Sequence, residues 1–150
     1  MKKSLYDSQV YQECVDRINI ITEDTKPIWG SMDDAQMMSH CAEVQAVMNG
    51  KPLVGTPFII KLFKGFVKKM VINEVPYRKH TKTHPQYFQR SDKDFSTEKR
   101  RLLIELDKFV NMDKQTAIGI KHSLFGTMTL EERGWSTYKH LNHHLMQFGV

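Results

Sequence analysis

His140 and His144 stand four residues apart in the string Tyr138-Lys139-His140-Leu141-Asn142-His143-His144-Leu145-Met146-Gln147-Phe148. On a helix that spacing brings two imidazoles to one side, and neutral imidazole is the commonest protein ligand for zinc, nickel, copper and iron. One further donor would complete a three-ligand site with positions open for water or substrate, and His40 is the leading candidate. The competing reading is a solvated polar face, because on a helical wheel the pair lies about 90 to 130° from the centre of the apolar stripe. His143 points about 100° away from its neighbour and reads as a support for the ligands or a solvent-facing residue. Gln147 lies on the same nitrogen-rich side. His122, in Lys121-His122-Ser123-Leu124-Phe125-Gly126, falls in the loop leading into the last helix, as a support for the ligands, a substrate contact or a structural residue.

Other chemistries read poorly. A second HxxxH, His80 to His84, sits among Arg78, Lys79 and Lys82 and precedes Pro85, so cationic neighbours and a broken helix both disfavour a metal there. Cys41 lies on an apolar stripe and reads as buried and inert. The chain has no phosphate-binding glycine loop, no GxSxG elbow and no paired zinc cysteines.

The elements that must position the histidines follow from periodicity. A first amphipathic helix is expected over 5–21, with Leu5, Val10, Cys14, Ile18 and Ile21 at spacings of three to five. Ser31 with Asp34, or Asp33 with Gln36, caps a second helix running to about Asn49, stopped by Gly50 and Pro52, with Met37, Cys41, Val44 and Met48 as its apolar face. His40 borders that face. A third helix runs from Phe95 to near Met112, and a fourth begins at the capping box Thr129 to Glu132, with Gly134, Tyr138, Leu141, Leu145 and Phe148 facing the core.

The connection from Gly50 to Asp94 is too long for an ordinary loop. Within it, Phe58, Ile59, Leu62, Phe63, Phe66, Val67 and Met70 predict a short extra helix over 57–71 with lysines at 61, 64 and 68. Its apolar arc exceeds half the circumference, more than one wall can cover. The leading reading wedges it between the bundle and a partner subunit; a lid and a membrane-surface helix are the alternatives.

The expected fold is therefore all-α: a four-helix bundle with a long crossover between helices two and three that carries a short extra helix. The histidines test this order. His40 lies about 10 Å from the start of its helix, and His140 and His144 lie roughly 6 to 12 Å from the end of theirs. The three are level if helices two and four are antiparallel, as a parallel second and third helix implies. In simple up-down-up-down order they miss by about 5 to 10 Å.

A length of 150 residues is read as one domain, 1–150, able to bury a core without disulfides. Two cysteines without framework spacing, and a start that lacks the apolar stretch of a secretion signal, place the expectation in the cytoplasm. No stretch approaches the length of a membrane span. A net charge of +5 raises nucleic acid, but the densest basic run, Arg78 to His84, has no helix-turn-helix spacing or aromatic ribonucleoprotein motif with it, and nucleic acid is not the expected partner.

Four blocks then stand out together: Trp29-Gly30-Ser31-Met32, Gln36-Met37-Met38-Ser39-His40-Cys41, Leu124-Phe125-Gly126-Thr127-Met128-Thr129 and the closing string through Gly149. Spread over nearly the whole chain, they resemble the DinB/YfiT-like superfamily, in particular a branch of bacterial domains whose last helix ends in a similar HxxHHLxQFG string. The resemblance implies a four-helix bundle with the long crossover described above. It also implies a metal triad of His40, His140 and His144, with Gln147 matching the glutamine three residues after the last ligand. Where many relatives have an arginine and a glycine between those two, this chain has Leu145 and Met146, so no role of that arginine carries over. Nickel or zinc as the divalent ion, and a homodimer, are further implications. Its relatives include thiol-dependent transferases and isomerases that use bacillithiol, mycothiol or glutathione, so the lead expectation is a metal-dependent thiol S-transferase acting on a small-molecule substrate. The basic loop from Arg78 to His84, or Lys61 and Lys64, would attract an anionic low-molecular-weight thiol. A metal-dependent hydrolase and a non-catalytic stress-response module are the alternatives.

Overall fold

A computed structural model describes residues 2–89 and 92–150. Seven α-helices and no strand occur among the described residues, so the chain is all-helical as expected. Helix α1 spans Ser8–Ile20, with the Asp7 carboxylate accepting from the amides of Gln9 and Val10. Helix α2, Asp34–Met48, starts at the reciprocal capping box of Asp33 and Gln36, the second of the two caps the sequence allowed. The long connection holds α3, Phe58–Leu62, and α4, Lys64–Ile72, so the single extra helix expected over 57–71 is broken at Phe63. A 3-10 turn at Pro85–Tyr87 precedes α5, Phe95–Asn111, which is capped by Asp94. The short α6, Lys114–Gly119, capped by Asp113, has too few residues for its periodicity to register and was not foreseen. Helix α7, Leu130–Gln147, opens at the expected box of Thr129 and Glu132. No helix of the described residues is long and apolar enough to cross a membrane.

Hydrogen bonds between helices give their directions. Arg101, early in α5, donates to the Ser39 carbonyl early in α2, and Asn49 at the end of α2 donates to the Glu105 carbonyl further along α5. These two helices thus run parallel. Arg133, early in α7, reaches the Met48 carbonyl at the end of α2, whereas His140 meets His40 near its beginning, so α2 and α7 are antiparallel. Tyr6 lies against Arg133 and Arg17 against Asn142, which sets α1 parallel to α7. One core joins these four helices, built from Cys14 and Ile18, Met37 and Met38, Leu102, Leu106 and Phe109, and Leu141 and Leu145.

Helix α2 is enclosed, with thirteen of its fifteen residues buried. Its polar side chains therefore need partners inside the protein. Burial would raise the Glu43 carboxyl, but hydrogen bonds from Lys51 and Gln86 outweigh it and hold the group below the usual carboxylate range. Arg101 adds a contact at 3.3 Å and also donates to the Ser39 hydroxyl. Arg133 is fully buried with its guanidinium over the Phe109 ring. Its bond to the Met48 carbonyl places the cation at the negative end of α2.

The approach of the N-terminal segment to α7 depends on Gly134. The Leu5 amide donates to its carbonyl at 3.1 Å, and a Cβ there would run into Ser4 Oγ and lie 3.0 Å from the Tyr6 ring. Gly134→Val is expected to cost about 2 to 3 kcal/mol in urea denaturation, through overpacking. Gly65→Ala, on α4 where a Cβ meets nothing, should be neutral or stabilising by up to about 1 kcal/mol. Equal effects at the two glycines would contradict this packing.

Candidate metal centre

Helix α2 presents His40 and α7 presents His140 and His144 to the same point. Each offers one ring nitrogen, and the three nitrogens lie within 4.8 Å of one another. His40 Nε2 and His140 Nε2 are 3.0 Å apart. Ring centroids are separated by 5.0 Å for His40 and His140, and by 4.7 Å for each of the other two pairs. His40 and His144 are buried, while His140 is partly exposed and marks the side from which solvent reaches the group. On the polar face of α7 that carries the pair, His144 is thus covered, as are Arg133 and Thr137 further down the same stripe, while His140 keeps part of its surface open.

The outer nitrogens of two rings are already committed. His40 Nδ1 lies 2.8 Å from the Tyr87 carbonyl, which can only accept, so Nδ1 carries the proton and Nε2 keeps its lone pair. Gln147 does the same for His144. Its amide nitrogen donates to the Trp29 carbonyl at 2.8 Å, which turns its Oε1 toward His144 Nδ1, also at 2.8 Å. Both Nε2 atoms therefore keep a lone pair that a cation could take, the one on His40 within hydrogen-bond reach of His140 Nε2, in the tautomer that metal-bound imidazoles adopt when a carbonyl orients them.

Electrostatics act in the same direction. Burial lowers the pKa of His40, a tendency that outweighs the Tyr87 hydrogen bond. His144 falls to about 3 through burial and the proximity of His40, and His140 falls well below its usual value through burial and the charges that His144 and His40 would carry. At neutral pH all three are uncharged. Three such imidazoles, two of them locked at Nδ1, are a donor set that could hold a metal ion.

Residues 73–89 form the roof. The Tyr77 ring stands edge-on to His140 at 6.5 Å and to His143 at 5.7 Å, and Lys139 lies 4.4 Å over its face. His143 sits half-buried between Tyr77 and Trp29, beside the triad rather than in it, with its pKa lowered by burial and by the Lys79 charge. Lys79 lies 4.2 Å over the Trp29 ring, so the basic loop meets the rim of the site.

The remaining candidates lie elsewhere. His122 is buried in a tight turn whose Leu124 and Phe125 amides both donate to its Nδ1. Burial and the Arg133 charge bring it to about 4, and Arg133 stands about 10 Å along α7 from His140. The structure therefore does not bring His122 to the triad. His84 is paired with Thr56 and with the Gln86 amide, and His80 occupies a left-handed turn at φ 60°. Cys41 is buried against Met37, and burial pushes its thiol well up.

Periodicity does not reveal the Tyr87 and Trp29 carbonyls or the Tyr77 ring, since backbone acceptors carry no residue signature. Gly30 is the exception. It has φ +85°, and a Cβ there would lie 2.5 Å from the Gln147 amide nitrogen, so the Trp29-Gly30 pair encodes the turn that anchors Gln147.

Comparison of the chain with family models, with curated proteins and with solved structures finds no match.

Two outcomes follow. The unfolded chain titrates histidine near pH 6.5, and the folded pKa values lie lower, so stability is complete above that pH and is lost as pH falls toward the folded values. Metal-free protein should lose up to about 2 kcal/mol per such group between pH 7.5 and 5, less in His144→Asn; a flat profile by urea denaturation contradicts it. Gly30→Ala and Gln147→Ala should each weaken zinc or nickel binding by about 10- to 100-fold in competition titrations, with the helical fold retained. Unchanged affinity in both would remove Gln147 from any part in orienting His144.

Proposed function

We propose that this chain is a divalent-metal protein of the DinB/YfiT-like type, its four long helices forming that superfamily's bundle with the crossover between α2 and α5, and that it is a metal-dependent thiol S-transferase. The observation that carries the metal is the convergence of three imidazoles, two of which have their outer nitrogens held, His40 by Tyr87 and His144 by Gln147. His40, His140 and His144 would hold a zinc or nickel ion. Such an ion, when bound, supplies the positive charge that lowers the pKa of a thiol placed against it.

The surrounding residues suit a small anionic thiol. Lys79 puts a cation at the rim, where it attracts the carboxylate of the incoming molecule. Tyr77 and Trp29 wall the site on either side of His143 and limit the water around it. His143, held neutral beside the triad, takes up the thiol proton at a ring nitrogen. The thiolate sulfur then bonds to an electrophilic carbon, whose leaving group departs with the electron pair of the broken bond. Hydrolysis finds less support: Glu43, the acid within one turn of His40, is held by Lys51, Arg101 and Gln86 and is not free to act as a base.

Elemental analysis of protein without a histidine tag should give about one equivalent of metal per chain in the wild type and none in His40→Ala or His144→Ala. Equal or negligible metal in all three would overturn the metal reading. Loaded wild type should conjugate glutathione, bacillithiol or mycothiol to an alkylating electrophile, and Lys79→Glu should raise KM for the thiol about tenfold with kcat little changed. Loaded protein inert toward all three thiols would overturn the transferase reading and leave the metal site standing.

A further inference from the structure

Helices α3 and α4 leave most of their apolar surface uncovered. The inner side of α4 is pinned to α7: Lys139 donates to the Met70 and Asn73 carbonyls, Trp135 donates to Asn73, Lys68 pairs with Glu132, and Ile72 packs on the core. On the outer side Phe58 is 79% exposed, Ile59 59%, Leu62 63%, Phe63 54%, Phe66 64% and Met70 39%. Phe58 and Leu62 lie one turn apart on α3, as Phe66 and Met70 do on α4, with Phe63 at the junction, so each helix turns an apolar face outward. Lys61, Lys64 and Lys69 are exposed on the same two helices, Lys61 and Lys64 at a cleft shared with Thr56 and Ser123, and none makes an ion pair among the described residues.

The charge pattern selects the occupant. Between Glu43 and Glu74 the sequence holds five lysines and no aspartate or glutamate. A second copy on the same patch would meet it with itself, because a two-fold interface is self-complementary, and lysines would face lysines around the apolar face. Protein interfaces favour aromatic residues, Met and Arg and are poor in Lys; this face shares the Phe and Met, but its only charged residues are lysines, and residues 44–76 contain no Tyr, Trp or Arg. Projecting Phe, Ile and Leu flanked by Lys are what an anionic lipid surface takes: the apolar side chains enter the acyl boundary while the lysines stay among the headgroups.

We propose that the outer face of α3 and α4 docks reversibly on an anionic lipid bilayer surface, inserting Phe58, Leu62, Phe63 and Phe66 without spanning it. The test uses the full chain and vesicles of phosphatidylglycerol and phosphatidylcholine in equal parts, beside vesicles of phosphatidylcholine alone. Wild type should co-sediment with the first and not the second, and binding should weaken with salt. Phe63→Ser with Phe66→Ser, or Lys61→Glu with Lys64→Glu, should reduce binding at least tenfold. All four positions are exposed, so thermal unfolding should be unchanged. A Phe63→Trp reporter should shift its emission to the blue on the anionic vesicles. Absence of co-sedimentation and of the blue shift in wild type and reporter overturns the proposal. So does a solution mass that halves when Phe63 and Phe66 are replaced, which would give the face to a second copy.

Discussion

Three imidazoles with their donor nitrogens within 4.8 Å, two of them sealed from water, cannot all be protonated. Burial and mutual repulsion drive the three toward the neutral form, and neutral rings need somewhere to send one N–H each. Much of the architecture around the triad answers that need. The Tyr87 carbonyl takes the proton side of His40, and Gln147, itself fixed by the Trp29 carbonyl, takes that of His144. What is left facing inward on His40 and His144 is an electron pair each, which a proton from His140 or a cation could satisfy.

Helix order makes this convergence possible. Because α5 runs parallel to α2, the chain must return over the outside of the helices, and residues 73–89 pass across the histidines on the way. The crossover thus supplies the Tyr77 ring and the Tyr87 carbonyl. It also brings α4 against α7, where Lys139, the residue next to His140, holds the end of α4. The apolar face proposed to meet lipid and the proposed metal centre therefore hang from the same turn of α7.

Much of this could be read from residues alone. The Thr129–Glu132 box marks one helix start and the choice of Ser31–Asp34 or Asp33–Gln36 another, and a metal shared by His40, His140 and His144 favours antiparallel α2 and α7. Exposure was harder to read. A helical wheel places His140 and His144 off the apolar stripe, but α7 is buried on two sides: Tyr138, Leu141 and Leu145 meet the core, while Arg133, Thr137 and His144 are covered too. Irregular backbone does the covering near the triad, and no periodicity reports it. The break at Phe63 and the short α6 escaped for a related reason, since five or six residues give too little repeat to define a period. His122 drew attention by residue type alone, and its ring serves a turn that two backbone amides define.

The X-ray absorption spectrum of the zinc-loaded protein addresses the inward-facing imidazoles most directly. The account predicts scattering from three imidazole rings with nitrogens at about 2.0 to 2.1 Å in wild type, and no imidazole-bound zinc in His40→Ala. A shell of oxygen alone, or one whose imidazole count is the same in wild type and variant, would contradict it.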